Sequence, residues 1–245
     1  MTGPFDNSAG AAPPRRQHSV PKYLQAHYWW AYVHPNAVNV FERQWLVNLI
    51  LWGNYTRLCN ALLKAHAHHL PGRTLQVACV YGNLTQRLAQ CVPEGGMLDV
   101  VDVLPVQLDN LAKKLPSDAP VRLHCMNSES LGFEDRSFDR ALLFFLLHEQ
   151  PRQVREKTLS ETLRVLRPGA TLTIVDYARP IALNPLRYLW GPVLDRLEPF
   201  ARDLWREDVT IWLPKGNPVT GVRRQTFFGG LYQMLTLTIG ESHKD

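Results

Sequence analysis

The sequence predicts an α/β fold, a mostly parallel seven-stranded sheet with helices on both faces, and three observations carry that expectation. Short apolar, β-branched runs alternate with amphipathic segments of helical period between residues 71 and 180. Turn signals, Pro71-Gly72, Pro93-Glu94-Gly95-Gly96 and Arg167-Pro168-Gly169, separate them. A last apolar stretch, Val222–Ile239, reads as an antiparallel hairpin broken at Gly229-Gly230. Strand and helix in alternation call for right-handed crossovers, and these put helices on both sides of a parallel sheet.

The elements follow in order. Residues 1–20, rich in Pro, Gly and Ala, read as a flexible tail without the apolar core of a signal peptide. Residues 21–70 place apolar side chains at intervals of three and four around Tyr28–Tyr32, Val38–Leu51 and Tyr55–Ala67, so helices precede the first strand and form a lid. The core, 71–180, carries strands at Thr74–Val80, Met97–Val103, Val121–Cys125, Phe138–Leu147 and Ala170–Asp176. Helices are expected over Thr85–Cys91, up to Leu115, and over Arg152–Leu166. Residues 181–245 add apolar, aromatic helices and the hairpin, all within the single domain 21–245.

Composition narrows the function classes. A chain of 245 residues, 45% hydrophobic, buries one sizeable core. The net charge of +5 comes from dispersed Arg and Lys, a weak footprint for nucleic acid and one equally suited to an anionic membrane surface. No apolar run reaches the roughly 20 residues of a spanning helix, so membrane contact is expected to be peripheral. Cys59, Cys79, Cys91 and Cys125 show no metal-ligand spacing and read as buried thiols of a reducing cytoplasm. His66, His68 and His69 read as a solvated helix end rather than a metal site.

Asp102 closes the second strand, where a carboxylate can accept both hydroxyls of a ribose. His148 follows the fourth, placed either for proton transfer or for packing. Tyr28, Trp29, Tyr32 and His34 are an aromatic stripe that suits a substrate lid or a core face. Leu183, Leu186, Tyr188, Leu189, Trp190, Val193 and Leu197, with Arg187 and Arg196, could present an apolar face to a polyprenyl tail and cations to phosphates, or could simply pack.

Several segments together resemble the quinone C-methyltransferases: Val77–Thr85, Asp99–Val103, Asn127–Phe133 before Ser137-Phe138-Asp139, Arg164–Gly169 leading into Asp176–Pro180, and Thr226–Gly230. The resemblance implies a class I, Rossmann-like methyltransferase fold that binds S-adenosylmethionine through Val80, Tyr81, Gly82, Asn83, Asp102, Val103, Asn127 and Ser128. It departs from that pattern at one place. The acid expected at the end of strand one is Gln76, two glycine positions are Cys79 and Val80, and Asn83 stands where an Asp is common.

This altered loop, with Tyr28–Pro35 and Phe41–Leu46, resembles the narrower family of rhodoquinone biosynthesis proteins. That resemblance implies that the amino group of S-adenosylmethionine replaces a ring methoxy group of ubiquinone, assisted by a divalent metal, manganese, on a cytoplasmic protein peripheral to the inner membrane. Tyr81, Asn83 and His148 would then be catalytic. An amine that attacks must be neutral, and a loop without carboxylates favours that form. A conventional quinone C-methyltransferase and a non-catalytic binding scaffold remain the alternatives.

Overall fold

The computed structural model describes residues 20–27, 43–66, 72–79 and 81–240. Among them, seven strands form one sheet: β1 Arg73–Val77, β2 Met97–Asp102, β3 Val121–Cys125, β4 Phe138–Phe144, β5 Leu166–Tyr177, β6 Val219–Phe227 and β7 Tyr232–Ile239. Their order is β3-β2-β1-β4-β5-β7-β6, with β7 antiparallel to both neighbours and the pairings among β1 to β5 parallel. The helices are α1 Lys22–His27, α2 Gln44–Ile50, α3 Tyr55–His66, α4 Leu84–Ala89, α5 Pro105–Lys114, α6 Arg152–Val165, α7 Leu186–Leu197 and α8 Asp203–Arg206.

The chain reverses direction across the sheet between β1 and β4. After β1 it winds outward through β2 to β3, then returns to β4 on β1's other side. Loops leaving the C-terminal ends of β1 and β4 therefore diverge and open a crevice, the usual ligand position in a doubly wound sheet. Central strands are apolar on both faces because helices cover both: Leu75, Val100, Leu142 and Ile174 are fully buried.

Several strand limits differ from the expected ones: β1 stops at Val77 rather than Val80, β6 starts at Val219 rather than Val222, and two further shifts have a clear cause. β4 stops at Phe144, because Phe145 takes a positive φ of 53° and the chain turns into a 3-10 helix, Leu147–Glu149. Leu146 and Leu147 stay buried, which prolongs the apolar run past the strand. β5 starts at Leu166, ahead of the Arg167-Pro168-Gly169 signal, since a register shift between Phe138 and Arg140 of β4 absorbs those residues as a bulge.

The histidine and cysteine expectations are also corrected. His66 is buried and its Nε2 lies 3.0 Å from Thr173 Oγ1. Burial, with the charges of Arg140 and Arg223, pulls its pKa down to about 4, so this ring is a neutral core group. His68 and His69 lie outside the described residues. Of the four free cysteines only Cys59 is buried; Cys79, Cys91 and Cys125 are half-buried.

Candidate functional site

The crevice at the strand ends is lined by Ala78 and Cys79 after β1, Asp102 to Leu104 after β2, Met126 to Ser128 after β3, and Phe145, Leu146, Glu149 and Gln150 after β4. Tyr23 and Leu24 of α1 complete it. Leu24 is held by an apolar contact with Leu104, which fixes this helix over the crevice. Burial and the nearby Glu149 push the Tyr23 phenol well above its ordinary range, so it stays protonated.

Asp102 is nine-tenths buried at the wall. One carboxylate oxygen accepts the Leu104 N–H (2.8 Å), and the other accepts the Cys79 N–H (3.0 Å) and the Cys79 thiol (3.3 Å). Burial pushes its pKa upward while these hydrogen bonds pull it back. A carboxylate offers about four acceptor positions. One of these is held only by a weak thiol donor and another only by the Val103 N–H, so a vicinal diol could compete for acceptors here. Burial also raises the Cys79 pKa, keeping that thiol protonated as the donor.

Asn127 and Ser128 line the crevice, but their side chains are already engaged. Asn127 Oδ1 accepts the Glu129 N–H at 3.0 Å, and Ser128 Oγ lies 2.8 Å from Thr158 Oγ1. Gln150 Nε2 donates to Ser128 Oγ (3.2 Å) and Thr158 Oγ1 (3.2 Å), which turns its own Oε1 into a buried acceptor with no hydrogen bond among the described residues. That orphan acceptor, on the same crevice as the Asp102 carboxylate, is what an adenosine with its exocyclic amine and ribose hydroxyls would satisfy. The residues present fit the adenosine half of S-adenosylmethionine.

The loop expected to hold the other half is built differently. Tyr55 of α3 is buried, and its hydroxyl accepts the N–H groups of Asn83 (2.9 Å) and Leu84 (3.1 Å) at the start of α4. Gly82 has φ +92°, and a Cβ there would strike that hydroxyl. The surviving glycine makes room for Tyr55. Tyr81 faces α5, where its hydroxyl accepts from Gln107 Nε2 at 2.8 Å, and Lys114 Nζ donates to the Gly82 carbonyl at 3.0 Å. Tyr81, Gly82 and Asn83 are not among the residues lining the crevice. Asn83 Oδ1 is buried without a hydrogen bond among the described residues. Gln76 is fully buried; its amide donates to the Ala78 carbonyl (3.1 Å) and accepts from the Thr85 hydroxyl (3.1 Å), spanning strand end and helix start without charge. Val80, Tyr28, Trp29, Tyr32 and His34 lie outside the described residues.

Beyond Phe145, at the edge of the crevice, lies a buried aromatic cluster around His148. His148 Nδ1 lies 3.0 Å from Asp176 Oδ1, and Asp176 Oδ2 accepts the N–H groups of Leu147 (2.9 Å) and His148 (3.3 Å). Phe145 and Tyr177 stand edge-on to the His148 ring, at 5.8 and 5.1 Å. Tyr232 packs on both aromatics, and its buried hydroxyl has no hydrogen bond among the described residues. Burial opposes charge on His148, but Asp176, then Glu198 and Glu149, overcome it and lift the pKa to about 9. At neutral pH this ring is an imidazolium, a proton donor.

Two residues of this arrangement were given no site role by the sequence. Asp176 joins His148 only because β4 and β5 are neighbours. Arg155 of α6 is fully buried; it donates to the carbonyls of Leu147 (2.9 Å), Gln150 (2.9 Å) and Phe200 (3.1 Å), and its guanidinium lies 4.1 Å from the Trp212 ring centre. One cation thus holds the turn that places His148 in the aromatic cluster and Gln150 at the crevice. Among the described residues no three His, Cys, Asp or Glu side chains are grouped to hold a metal ion. The divalent metal implied by the resemblance finds no protein site there.

Residues 74–169 match the family model described as "Methyltransferase domain". The chain is 27% identical over 144 residues to the ubiquinone/menaquinone biosynthesis C-methyltransferase UbiE of Pasteurella multocida, covering 58% of this chain and 50% of that protein. With the UbiE protein of Cronobacter sakazakii it shares 27% identity over 161 residues, 64% of this chain and 61% of that one. The chain thus spans about half to three-fifths of the length of these relatives. Among solved structures it is similar to a SAM-dependent methyltransferase from Methanosarcina mazei, with TM-score 0.56, 19% identity, and coverage of 73% of this chain and 97% of that one. It is also similar to the N-methyltransferase NodS of Bradyrhizobium japonicum in complex with S-adenosyl-L-homocysteine, with TM-score 0.54, 14% identity, and coverage of 76% and 87%. The fold is that of the class I S-adenosylmethionine-dependent methyltransferases.

Proposed function

We propose that this chain, whose fold is that of the class I methyltransferases, binds S-adenosylmethionine in the crevice and modifies a ubiquinone-type ring brought against the aromatic cluster around His148 beside it, the amino group being transferred to give rhodoquinone. When bound, S-adenosylmethionine supplies the group that is transferred. Asp102 would accept the ribose hydroxyls, Gln150 Oε1 would accept from the adenine amine, and Tyr23 with Leu24 would close the crevice against water. Phe145, Tyr177 and Tyr232 offer aromatic faces for a flat ring, and His148, held charged by Asp176, can give a proton to a ring oxygen as negative charge develops there.

The observation that carries amino transfer is the uncharged loop. Gln76 supplies an amide where a carboxylate would pin an ammonium, and Tyr55 takes the helix-start N–H groups. The segment from Gln76 to Asn83 supplies no carboxylate of its own, the one held against it being Asp102 on Cys79, and an amine that faces fewer carboxylates is deprotonated more readily. The second reading is ring C-methylation, favoured by the names of the relatives that the chain resembles.

One incubation distinguishes the readings. The protein is given ubiquinone and S-adenosylmethionine labelled with nitrogen-15 in the amine and deuterium in the methyl group, and the quinone product is weighed. Nitrogen-15 in the ring supports amination. Deuterium in the ring supports methylation and overturns the leading reading, and so does tight binding with neither label transferred, which is the behaviour of a scaffold.

A further inference from the structure

We propose that the face formed by α2, α7 and the segment before α7 docks on an anionic lipid bilayer, its apolar side chains entering the interface while an arginine hollow beside them holds lipid phosphates. This goes beyond the catalytic reading and stands whichever group is transferred.

The apolar half is exposed to a degree that folding alone does not explain. On α2 and just after it, Trp45, Leu49 and Trp52 fall at intervals of four and three, one side of a helix, and are 62%, 65% and 43% exposed. Leu183 is 91% exposed, and Tyr188 and Leu189 of α7 about two-thirds. The two groups meet, because the Trp52 and Trp190 rings touch edge to face at 5.1 Å. Single exposed apolar residues are ordinary, but a contiguous group with tryptophans at its centre marks an interaction surface.

The charged half decides what covers it. Arg179, Arg187, Arg202 and Arg206 converge with Trp205 around one hollow. Arg202 is paired with Asp195 at 3.4 Å and Arg206 contacts Asp203 at 3.9 Å. Arg179 and Arg187 have no carboxylate partner among the described residues, and Arg187 reaches only the Pro180 carbonyl at 3.5 Å. Arg179 lies two residues from exposed Ile181, and Arg187 directly precedes Tyr188 and Leu189 in α7. Four guanidinium groups around one hollow suit phosphate oxygens. Exposed Trp, Tyr and Leu beside them match the graded polarity of a bilayer interface better than a uniformly apolar protein partner. Among the described residues no helix is long and apolar enough to cross a membrane, so the contact lies at its surface.

The position of this face adds an independent argument. Trp190, at its inner edge, neighbours the Tyr177 hydroxyl, and Tyr177 packs on His148. The exposed face is thus two aromatic side chains from the buried dyad, and a membrane-borne molecule has a short way to it.

The test is co-sedimentation of the full chain with quinone-free vesicles, of phosphatidylcholine alone or of phosphatidylcholine mixed with phosphatidylglycerol, with tryptophan emission recorded in parallel. Binding to the anionic vesicles, a blue shift of the emission and weakening by salt are expected. An arginine at an anionic surface changes partitioning about fivefold, so the double variant Arg179→Gln with Arg187→Gln should bind roughly 25-fold more weakly. Leu183→Ser with Leu189→Ser should lose the blue shift while thermal unfolding is unchanged, because both side chains are solvated. Equal binding to neutral and anionic vesicles, or unaltered binding by both double variants, overturns the proposal. So does self-association that buries these tryptophans without lipid, which would make a second copy the occupant. No arm uses turnover, so failure here is distinguishable from failure of the catalytic reading.

Discussion

Replacing Tyr55 by Phe removes one oxygen from a fully packed site, and the consequence can be worked out from that oxygen's neighbours. The hydroxyl accepts two N–H groups, of Asn83 and Leu84, at the start of α4. Leaving a buried donor unsatisfied costs about 1–3 kcal/mol. Two donors at a helix end that water can partly reach should together cost roughly 3 kcal/mol, a fall in melting temperature of about 6–12 °C for a domain of this size. The same oxygen is what a side chain at Gly82 would strike. Gly82→Ala should therefore be less damaging in the Tyr55→Phe background than in the wild type, with a coupling of about 1 kcal/mol, the residual cost being the positive φ that any side chain resists and the ring carbon Cζ, which the new side chain would still strike. Denaturant unfolding of the two single variants and the double variant measures both quantities. An unchanged midpoint for Tyr55→Phe, or strict additivity in the cycle, would refute the assignment of Gly82 to Tyr55.

Asp102→Asn keeps the shape of the crevice wall but replaces a charged acceptor by a neutral amide; calorimetric titration should show S-adenosylmethionine binding about 10- to 100-fold more weakly, and unchanged affinity would remove Asp102 from the site. The His148–Asp176 pair makes stability depend on pH. Its folded pKa, about 9, lies above the ordinary histidine value, so its stabilisation is fully present below about pH 6.5 and is lost as pH rises through 9. Unfolding followed between those limits should show a loss on the order of 3 kcal/mol that Asp176→Asn abolishes; a wild-type profile that stays flat would contradict it. Arg155→Met preserves bulk but strands three carbonyls. It should destabilise by about 2–4 kcal/mol and reduce turnover more than cofactor affinity, and wild-type kinetics in this variant would show that the 147–150 turn needs no such anchor.

The parts of this molecule that local chemistry determines were legible in the sequence. Val121–Cys125 and the end of β7 fall where the apolar pattern puts them, and Asp102 stands at the end of β2 because a strand that leaves the sheet there must finish on a residue that tolerates the crevice. What was hidden is contact between distant segments. Nothing in the spacing tells that Tyr55 reaches Gly82 across 27 residues, or that Asp176 meets His148, because those meetings depend on α3 lying beside α4 and on β4 lying beside β5. The Arg167-Pro168-Gly169 signal was a true irregularity, but a bulge within β5 and not a turn before it. Tyr23, a lone aromatic in a short helix, carries no periodicity that would mark it as part of a crevice.

The proposal that the uncharged Gln76–Asn83 loop makes the transferred group an amine is tested most directly by observing that amine in the complex. S-adenosylmethionine labelled with nitrogen-15 at the amine can be titrated by NMR while bound to the protein, with the Gln76→Glu variant as the charged comparison. The expected result is a bound amine that loses its proton at lower pH than in free solution, with the shift reversed in the variant. An amine that remains ammonium to the same pH as the free molecule, in both proteins alike, would contradict it.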